Sequence, residues 1–196
     1  MQVSGVAVQF SSGIAVETLS QWGVVIGASL VCAVLDVRTR RIPNALCGPL
    51  LVAGLLWSTW YGGAEGLVKA VAACVVLAMP FVLLFLFAGG GAGDAKLMAA
   101  IGAWLGLKQG IIVLGCVCVA GGVLAIATAI AKKRLKVVLA NIMLSVYNFI
   151  VALLTGRSIR TAANEARPEE TEKLTVPYGV AIFAGVCLGG AVIWLW

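Results

Sequence analysis

The chain has 196 residues, 62% of them hydrophobic and only 11% charged, with a formal net charge of +6. A mean hydropathy of +1.07 excludes an ordinary soluble globule and points to an integral membrane protein. The basic residues stand at the ends of apolar runs, where they orient a membrane protein, so nucleic acid is not an expected partner. Histidine is absent, which excludes Ser-His and Cys-His catalysis and the commonest zinc ligand.

Residues 1–19 are mildly apolar, hold Glu17 and lack a basic leading region, so they read as an external tail or surface helix and not as a cleaved signal. Residues 20–196 read as a single membrane-embedded domain. A spanning helix needs roughly 20 mainly apolar residues, fewer where its ends snorkel or the bilayer thins. The candidates are 20–36, 44–61, 66–88, 94–107, 111–131 and 175–196. Pro43 in the turn "RRIPN" restricts Ile42 to extended geometry and can start the second of them. The fourth is short: from Asp94 to Leu107 it spans about 21 Å, against a hydrocarbon core about 30 Å thick. The glycines before it, 89–91 and 93, do not favour a helix. Irregular backbone at membrane depth requires burial in protein or access to water, so a wet cavity is expected at residues 91–94.

Lys and Arg are retained on the cytoplasmic side. Twelve of the fourteen, from Arg38 through Lys173, fall on one side of this arrangement, and only Lys69 and Lys108 on the other. Both termini are then outside, and residues 132–173 form a cytoplasmic loop. Within that loop the uncharged stretch 137–156 carries Asn141, Ser145 and Asn148 on one helical face, with basic residues on both flanks. That pattern predicts an amphipathic helix lying on or re-entering the membrane. A crossing would instead give seven spans and carry residues 176–182 to the far face. The predicted fold class is therefore an all-α polytopic membrane protein with about six transmembrane helices and an interfacial helix.

Six cysteines, Cys32, Cys47, Cys74, Cys116, Cys118 and Cys187, lie in apolar runs with no CxxC pair. They read as small buried hydrophobes, and no metal site is expected. Trp57, Trp60, Trp104, Trp194 and Trp196 read as belt residues at the outer edge.

The chain has two aspartates, Asp36 in "VLDVRTRRIPN" and Asp94 in "FAGGGAGDAK", both at the cytoplasmic ends of apolar segments. Each has a simple structural role open to it: Asp94 can cap the helix it opens, and Asp36 can pair with Arg38 or Arg40. Their shared depth allows another. Two carboxylates around one water cannot both ionise cheaply, so they hold one proton between them, one acting as general base and the other as general acid. Ionisable groups within a membrane are in any case functional candidates.

"GAGD" at 91–94 resembles the GxGD signature of aspartyl intramembrane proteases. Together with "LDVRTRRIPN", "GGGAGDAKLMAAIGAWLG" and "VPYGVAI", it makes the chain similar to the short type IV prepilin peptidases of Flp-type tight-adherence pili, over about residues 20–196. The resemblance implies a catalytic pair, Asp36 and Asp94, with Gly91 and Gly93 as the motif glycines. Supporting or substrate-binding roles fall to Lys96, Pro177, Tyr178 and Gly179. Tyr178 can bond substrate or serve as a belt residue, and Lys96 can anchor at the interface or bias the pair's charge. The resemblance further implies hydrolysis of prepilin leaders, and of pseudopilins where these are substrates, at the cytoplasmic face of a bacterial inner membrane. No cofactor is expected. The family's larger members also N-methylate the new N-terminus and often carry an inserted domain with paired CxxC motifs, which these residues lack, so cleavage without methylation is expected. Two readings of other classes stay open: a small transporter or channel with a proton-relay aspartate pair, and a non-catalytic subunit of a pilus or secretion system.

Overall fold

A computed structural model of the chain describes residues 3–39, 43–88, 91–131, 151 and 178–195. These residues form four long helices: α1 (Val3–Thr39), α2 (Asn44–Ala88), α3 (Ala92–Ala131) and α4 (Tyr178–Leu195), with no strand among them. Each contains a stretch long and apolar enough to cross a membrane, judged by length and composition. Apart from Val151, the predicted loop helix at 137–156 lies outside the described residues, as does Pro177.

Two of the four helices are bent. Gly63 (φ 59°) breaks α2, and Gly106 (φ 69°) breaks α3, both in the left-handed region that only glycine enters without strain. At Gly63 the chain reverses, since a Cβ on Gly66 would strike the Ser58 carbonyl eight residues earlier. In α3, Gly102 packs on the Ala73 backbone before the bend, and Gly121 packs on Tyr178 after it. The result is six helical arms, 44–62, 64–88, 92–105 and 107–131 together with α1 and α4. α1 is one continuous helix over Val3–Thr39, including residues 3–19, for which a tail or surface helix is expected.

Side-chain pairing sets the directions of the arms. Trp22 of α1 donates from Nε1 to Gln109 Oε1 (3.1 Å), just beyond the α3 bend, and Gly190 of α4 also faces Trp22. At the opposite end, Asn44 meets Lys96 and Gly179 meets Asp36. One end of the bundle therefore gathers the starts of α2, α3 and α4 with the end of α1, and the other gathers both bends.

Lipid is as apolar as leucine, so helices in a membrane associate through close packing of small residues and through interhelical hydrogen bonds, each of the latter averaging about 0.6 kcal/mol. Both devices are present. Trp104 donates from Nε1 to the Leu50 carbonyl (2.9 Å) and Ser58 Oγ to the Ala103 carbonyl (2.9 Å), tying the first arm of α2 to the first arm of α3. A Cβ at Gly102 would lie 2.8 Å from the Ala73 carbonyl oxygen, and Cβ atoms at Gly185 and Gly189 would collide with Val117 and Val113. Around these contacts Leu97, Met98, Ile101, Val113, Ile182 and Val186 are fully buried, while Val68, Val119, Val123 and Leu195 turn outward, as a lipid-facing surface requires.

Two expectations change. Trp104 is not a belt residue: it is 7% exposed and its ring lies 5.6 Å from that of Trp57, because its indole N–H has a backbone acceptor inside the bundle. Trp60, at 86% exposure, does face outward. Among the cysteines only Cys32 and Cys47 are fully buried, and Cys118 and Cys187 are exposed on apolar faces, where lipid replaces protein as the apolar surrounding.

The packing generates one prediction. Gly185→Ala forces apart α3 and α4 and should destabilise the protein by about 2 kcal/mol, within the range for overpacked cores. Gly115→Ala, with nothing within 4 Å of its Cβ, should be neutral or slightly stabilising, since Ala favours a helix over Gly by about 1 kcal/mol. Titration with a denaturing detergent in mixed micelles measures both.

Candidate active site

The helix ends gathered at one pole carry every charged and polar group that the sequence singles out within the described residues. Asp36 occupies the last turn of α1, and its burial (8% exposed) is unusual for a carboxylate. The burial is made possible by a donor. The backbone N–H of Gly179 donates to Asp36 Oδ2 at 2.8 Å, a buried bond spanning 143 residues of sequence. The first N–H groups of any helix lack intrahelical acceptors, so α4 brings a free donor and the favourable end of its dipole to the carboxylate. Gly179 must be glycine here, because a Cβ would stand 2.8 Å from Asp36 Cβ and 3.3 Å from Ala33 Cα.

Asp94 is equally buried (8% exposed) and lies in the first turn of α3. It is not the cap of that helix. Its own N–H donates to the Gly91 carbonyl at 3.2 Å, which places Gly91 at the cap and Asp94 three residues inside it. The carboxyl group folds back over the motif: a Cβ on Gly91 would come within 3.0 Å of Asp94 Oδ2. Gly91 thus leaves room for the carboxyl, while Gly93 is half-buried beside it.

The two acids lie within electrostatic reach of each other, and Tyr178 lies within reach of Asp94. Among the described residues the one ion pair is Lys69 with Glu65 at the other pole, so the proposed pairing of Asp36 with Arg38 is not formed. Lys96 is exposed and donates to Asn44 Oδ1 at 2.8 Å. It fastens the start of α3 to the start of α2, a partner the sequence analysis did not name. The Pro43 carbonyl accepts from Leu46 N (3.1 Å) and Cys47 N (3.5 Å), so the turn residue caps α2 as its position suggests.

A cavity of about 300 Å³ lined by Trp57, Ser58, Tyr61, Lys69 and Trp104 lies at the pole of the bends, away from both aspartates. The expected wet cavity at residues 91–94 borders residues 89–90, which are outside the described set. Gly91 itself is exposed.

This geometry can be set beside known proteins. No solved structure matches the chain. It is 40% identical over 83 residues to the prepilin leader peptidase/N-methyltransferase of Klebsiella pneumoniae, covering 39% of this chain and 36% of that protein. The protein of the same name from Neisseria gonorrhoeae is 32% identical over 120 residues (57% and 42%), and that of Escherichia coli strain K12 is 33% identical over 111 residues (54% and 49%). The chain thus spans less than half the length of these relatives. The profile of the type IV leader peptidase family matches residues 23–126, a stretch that includes Asp36, Asp94, the arms 44–62, 64–88 and 92–105, and parts of α1 and of the arm 107–131, but stops short of α4. With more than half of its length matched, the chain belongs to the type IV leader peptidase family.

Proposed function

We propose that the protein is an aspartyl endopeptidase that removes the leader of a type IV prepilin of the Flp class, with Asp36 and Asp94 as its catalytic pair. The observation that carries the reading is the convergence of the chain's only two aspartates, both buried at one pole, Asp36 at the end of α1 and Asp94 at the start of α3. Family membership supports the reaction class, and the names of the relatives support prepilin as substrate.

The chemistry needs one water and one shared proton. One carboxylate removes a proton from the water as its oxygen attacks the scissile carbonyl carbon, and the protonated partner donates to the carbonyl oxygen. The tetrahedral diol then collapses. Its C–N bond breaks, the amine leaves with the proton taken from the water, and a diol hydroxyl gives its proton back to the pair as the carbonyl reforms, which restores a single shared proton. The Gly179 N–H occupies Oδ2 of Asp36 and so holds that carboxylate in one orientation, the preorganisation such a reaction requires. Gly91 and Gly93 leave room for Asp94 and for an extended substrate backbone. Tyr178 stands where it can bond substrate. Lys96 keeps the two helix starts in register.

The proposed site faces the cytoplasm of a bacterial inner membrane. The reading is supported by the excess of Lys and Arg read from the sequence on the side of the aspartates, twelve of the fourteen including Arg38 and Lys96, against Lys69 and Lys108 beside the bends. Six arms then cross, with the fourth a short one. Because Gly121 faces Tyr178, α3 runs on toward the aspartate pole where α4 begins. The segment between them therefore starts and finishes on one side, which favours a surface or re-entrant helix at 137–156 over a single crossing. Methylation is not proposed. An adenosyl cofactor needs a concave pocket with convergent polar groups, and within this sequence the only cytoplasmic stretch long enough, 132–173, has too few apolar residues in its charged half to form a core.

Three results test this reading. Asp36→Asn and Asp94→Asn should each reduce leader cleavage of a co-expressed short-leader prepilin at least 1,000-fold, with the protein still accumulating in the membrane; full processing by either ends the dyad assignment. Cysteine labelling in intact cells should find residues 89–95 and 160–172 shielded and residues 62–65 reactive, whereas external labelling at 160–172 would require a seven-span chain. Mass spectrometry of pilin matured by the purified enzyme with the methyl donor present should show an unmodified N-terminus, and a donor-dependent gain of one methyl group would reveal a second active site.

A further inference from the structure

The cavity at the pole of the bends has no part in hydrolysis, and its lining is not that of a packing defect. Its volume of about 300 Å³ is at the lower end of the range for sites that hold small ligands. Trp57, Tyr61 and Trp104 border it together with Gln21, Ser58 and Lys69. Two of the polar groups are already committed, since Trp104 Nε1 donates to the Leu50 carbonyl and Ser58 Oγ to the Ala103 carbonyl. Trp57 is not: its Nε1 is buried and has no acceptor among the described residues. A buried N–H in that condition is costly, and folded proteins satisfy nearly all of them.

Charge and depth narrow the occupant. Lys69 holds Glu65 at 2.6 Å with both side chains largely exposed, and so solvated a pair exchanges partners at little cost. The cavity edge therefore presents a cation and an anion side by side, next to three aromatic rings. Trp60, Tyr61 and Trp194 are exposed at this pole, the placing of aromatic side chains at the head-group level of a bilayer. From that level the arm carrying Lys69 runs toward the aspartates with Val75 and Val76 exposed. Val76 lies two turns from Lys69 on the same helical face, so an apolar track leads away from the cavity.

We propose that this cavity binds the phosphoethanolamine head group of a phospholipid from the leaflet at the bends. The phosphate takes the place of Glu65 on Lys69, and the primary ammonium of the lipid becomes the new partner of Glu65, beside aromatic faces that also attract a cation. A head-group oxygen accepts from Trp57 Nε1, for which the ring tilts toward the cavity, because that atom is closed to solvent. One acyl chain follows Val75 and Val76. A head group of negative charge alone fits less well: it would take Lys69 from Glu65 and set a like charge against the carboxylate. The site rests on the fold and not on the peptidase reading.

Full-length protein in detergent is titrated with short-chain phosphatidylethanolamine, and bound lipid is measured by native mass spectrometry. The expected result is saturable retention of one lipid, about tenfold or more tighter than phosphatidylglycerol with the same chains. Trp57→Phe keeps an aromatic ring but removes the N–H, and Lys69→Gln removes the cation. Each should weaken binding about tenfold or more, as the loss of one hydrogen bond to a charged group does. Lys108→Gln, a cation of the same pole that does not line the cavity, should bind as the parent does. Melting curves without lipid report whether the variants are folded, and the exposed Lys69 carries the test alone should Trp57→Phe be destabilised. Equal retention by the parent and Lys69→Gln marks a lipid of the general annulus and overturns the site. Phosphatidylglycerol bound as tightly as phosphatidylethanolamine overturns the zwitterionic assignment, and free phosphoethanolamine bound as tightly as the lipid overturns the lipid. No prepilin enters the measurement, so its outcome is independent of whether the protein cleaves one.

Discussion

A single hydrogen bond, from the Gly179 amide to Asp36, constrains the rest of the architecture. Asp36 sits at the C-terminal end of α1, where the helix dipole and the unpaired carbonyls disfavour negative charge. A carboxylate buried there without a donor is costly. The N-terminus of α4 supplies the donor and opposes one helix dipole with another. The cost is steric: α4 must approach until residue 179 has no room for a side chain, and the same closeness recurs along the helix where Gly185 and Gly189 press on α3. The glycines of α4 thus serve one purpose, to let a helix start reach a carboxylate.

The two poles of the bundle divide the work. At the pole of the bends, Trp57 stacks on Tyr61 and Trp104 at 4.8 and 5.6 Å, and the Trp104 and Ser58 bonds to backbone carbonyls hold the first arms of α2 and α3 together. Nothing there is ionisable and buried among the described residues. At the aspartate pole Pro43 and Gly91, the residues just before α2 and α3, are not helical, and the arm that carries Asp94 is short. Residues 92–105 rise about 21 Å, roughly two-thirds of a hydrocarbon core. A short arm anchored at the aromatic pole ends below the opposite surface, which lowers Asp94 into the bundle to the depth of Asp36. The rigid pole fixes where the helices start, and the broken pole uses that precision.

The sequence disclosed much of this, for identifiable reasons. Hydropathy over 20-residue windows is a strong signal for apolar helices, and the described residues are helical apart from Pro43 and Gly91. Charge placement put both aspartates at one level before any contact was known. The reversals at Gly63 and Gly106 were harder to locate, because one left-handed glycine suffices for each and α2 and α3 are rich in glycine. The capping role left open for Asp94 is not the one it takes, since Gly91 holds that position and the acid lies three residues inside the helix. Trp104 was misread as a belt residue, since composition does not reveal that the Leu50 carbonyl lies within reach of its indole. Least legible was the role of Gly179. The motif marks the position, but a contact between residues 143 apart follows from the packing of α4 between α1 and α3, which no local pattern encodes.

If the amide of α4 holds Asp36 in its working orientation, a single methyl group at residue 179 must abolish the chemistry without dismantling the bundle. The most direct measurement is the rate of prepilin cleavage by purified Gly179→Ala, alongside Gly122→Ala, whose added Cβ meets nothing within 4 Å. The account predicts a loss of at least 100-fold in kcat for Gly179→Ala, with detergent stability within about 2 kcal/mol of the parent, and an unimpaired Gly122→Ala. Cleavage by Gly179→Ala at the parental rate would contradict it.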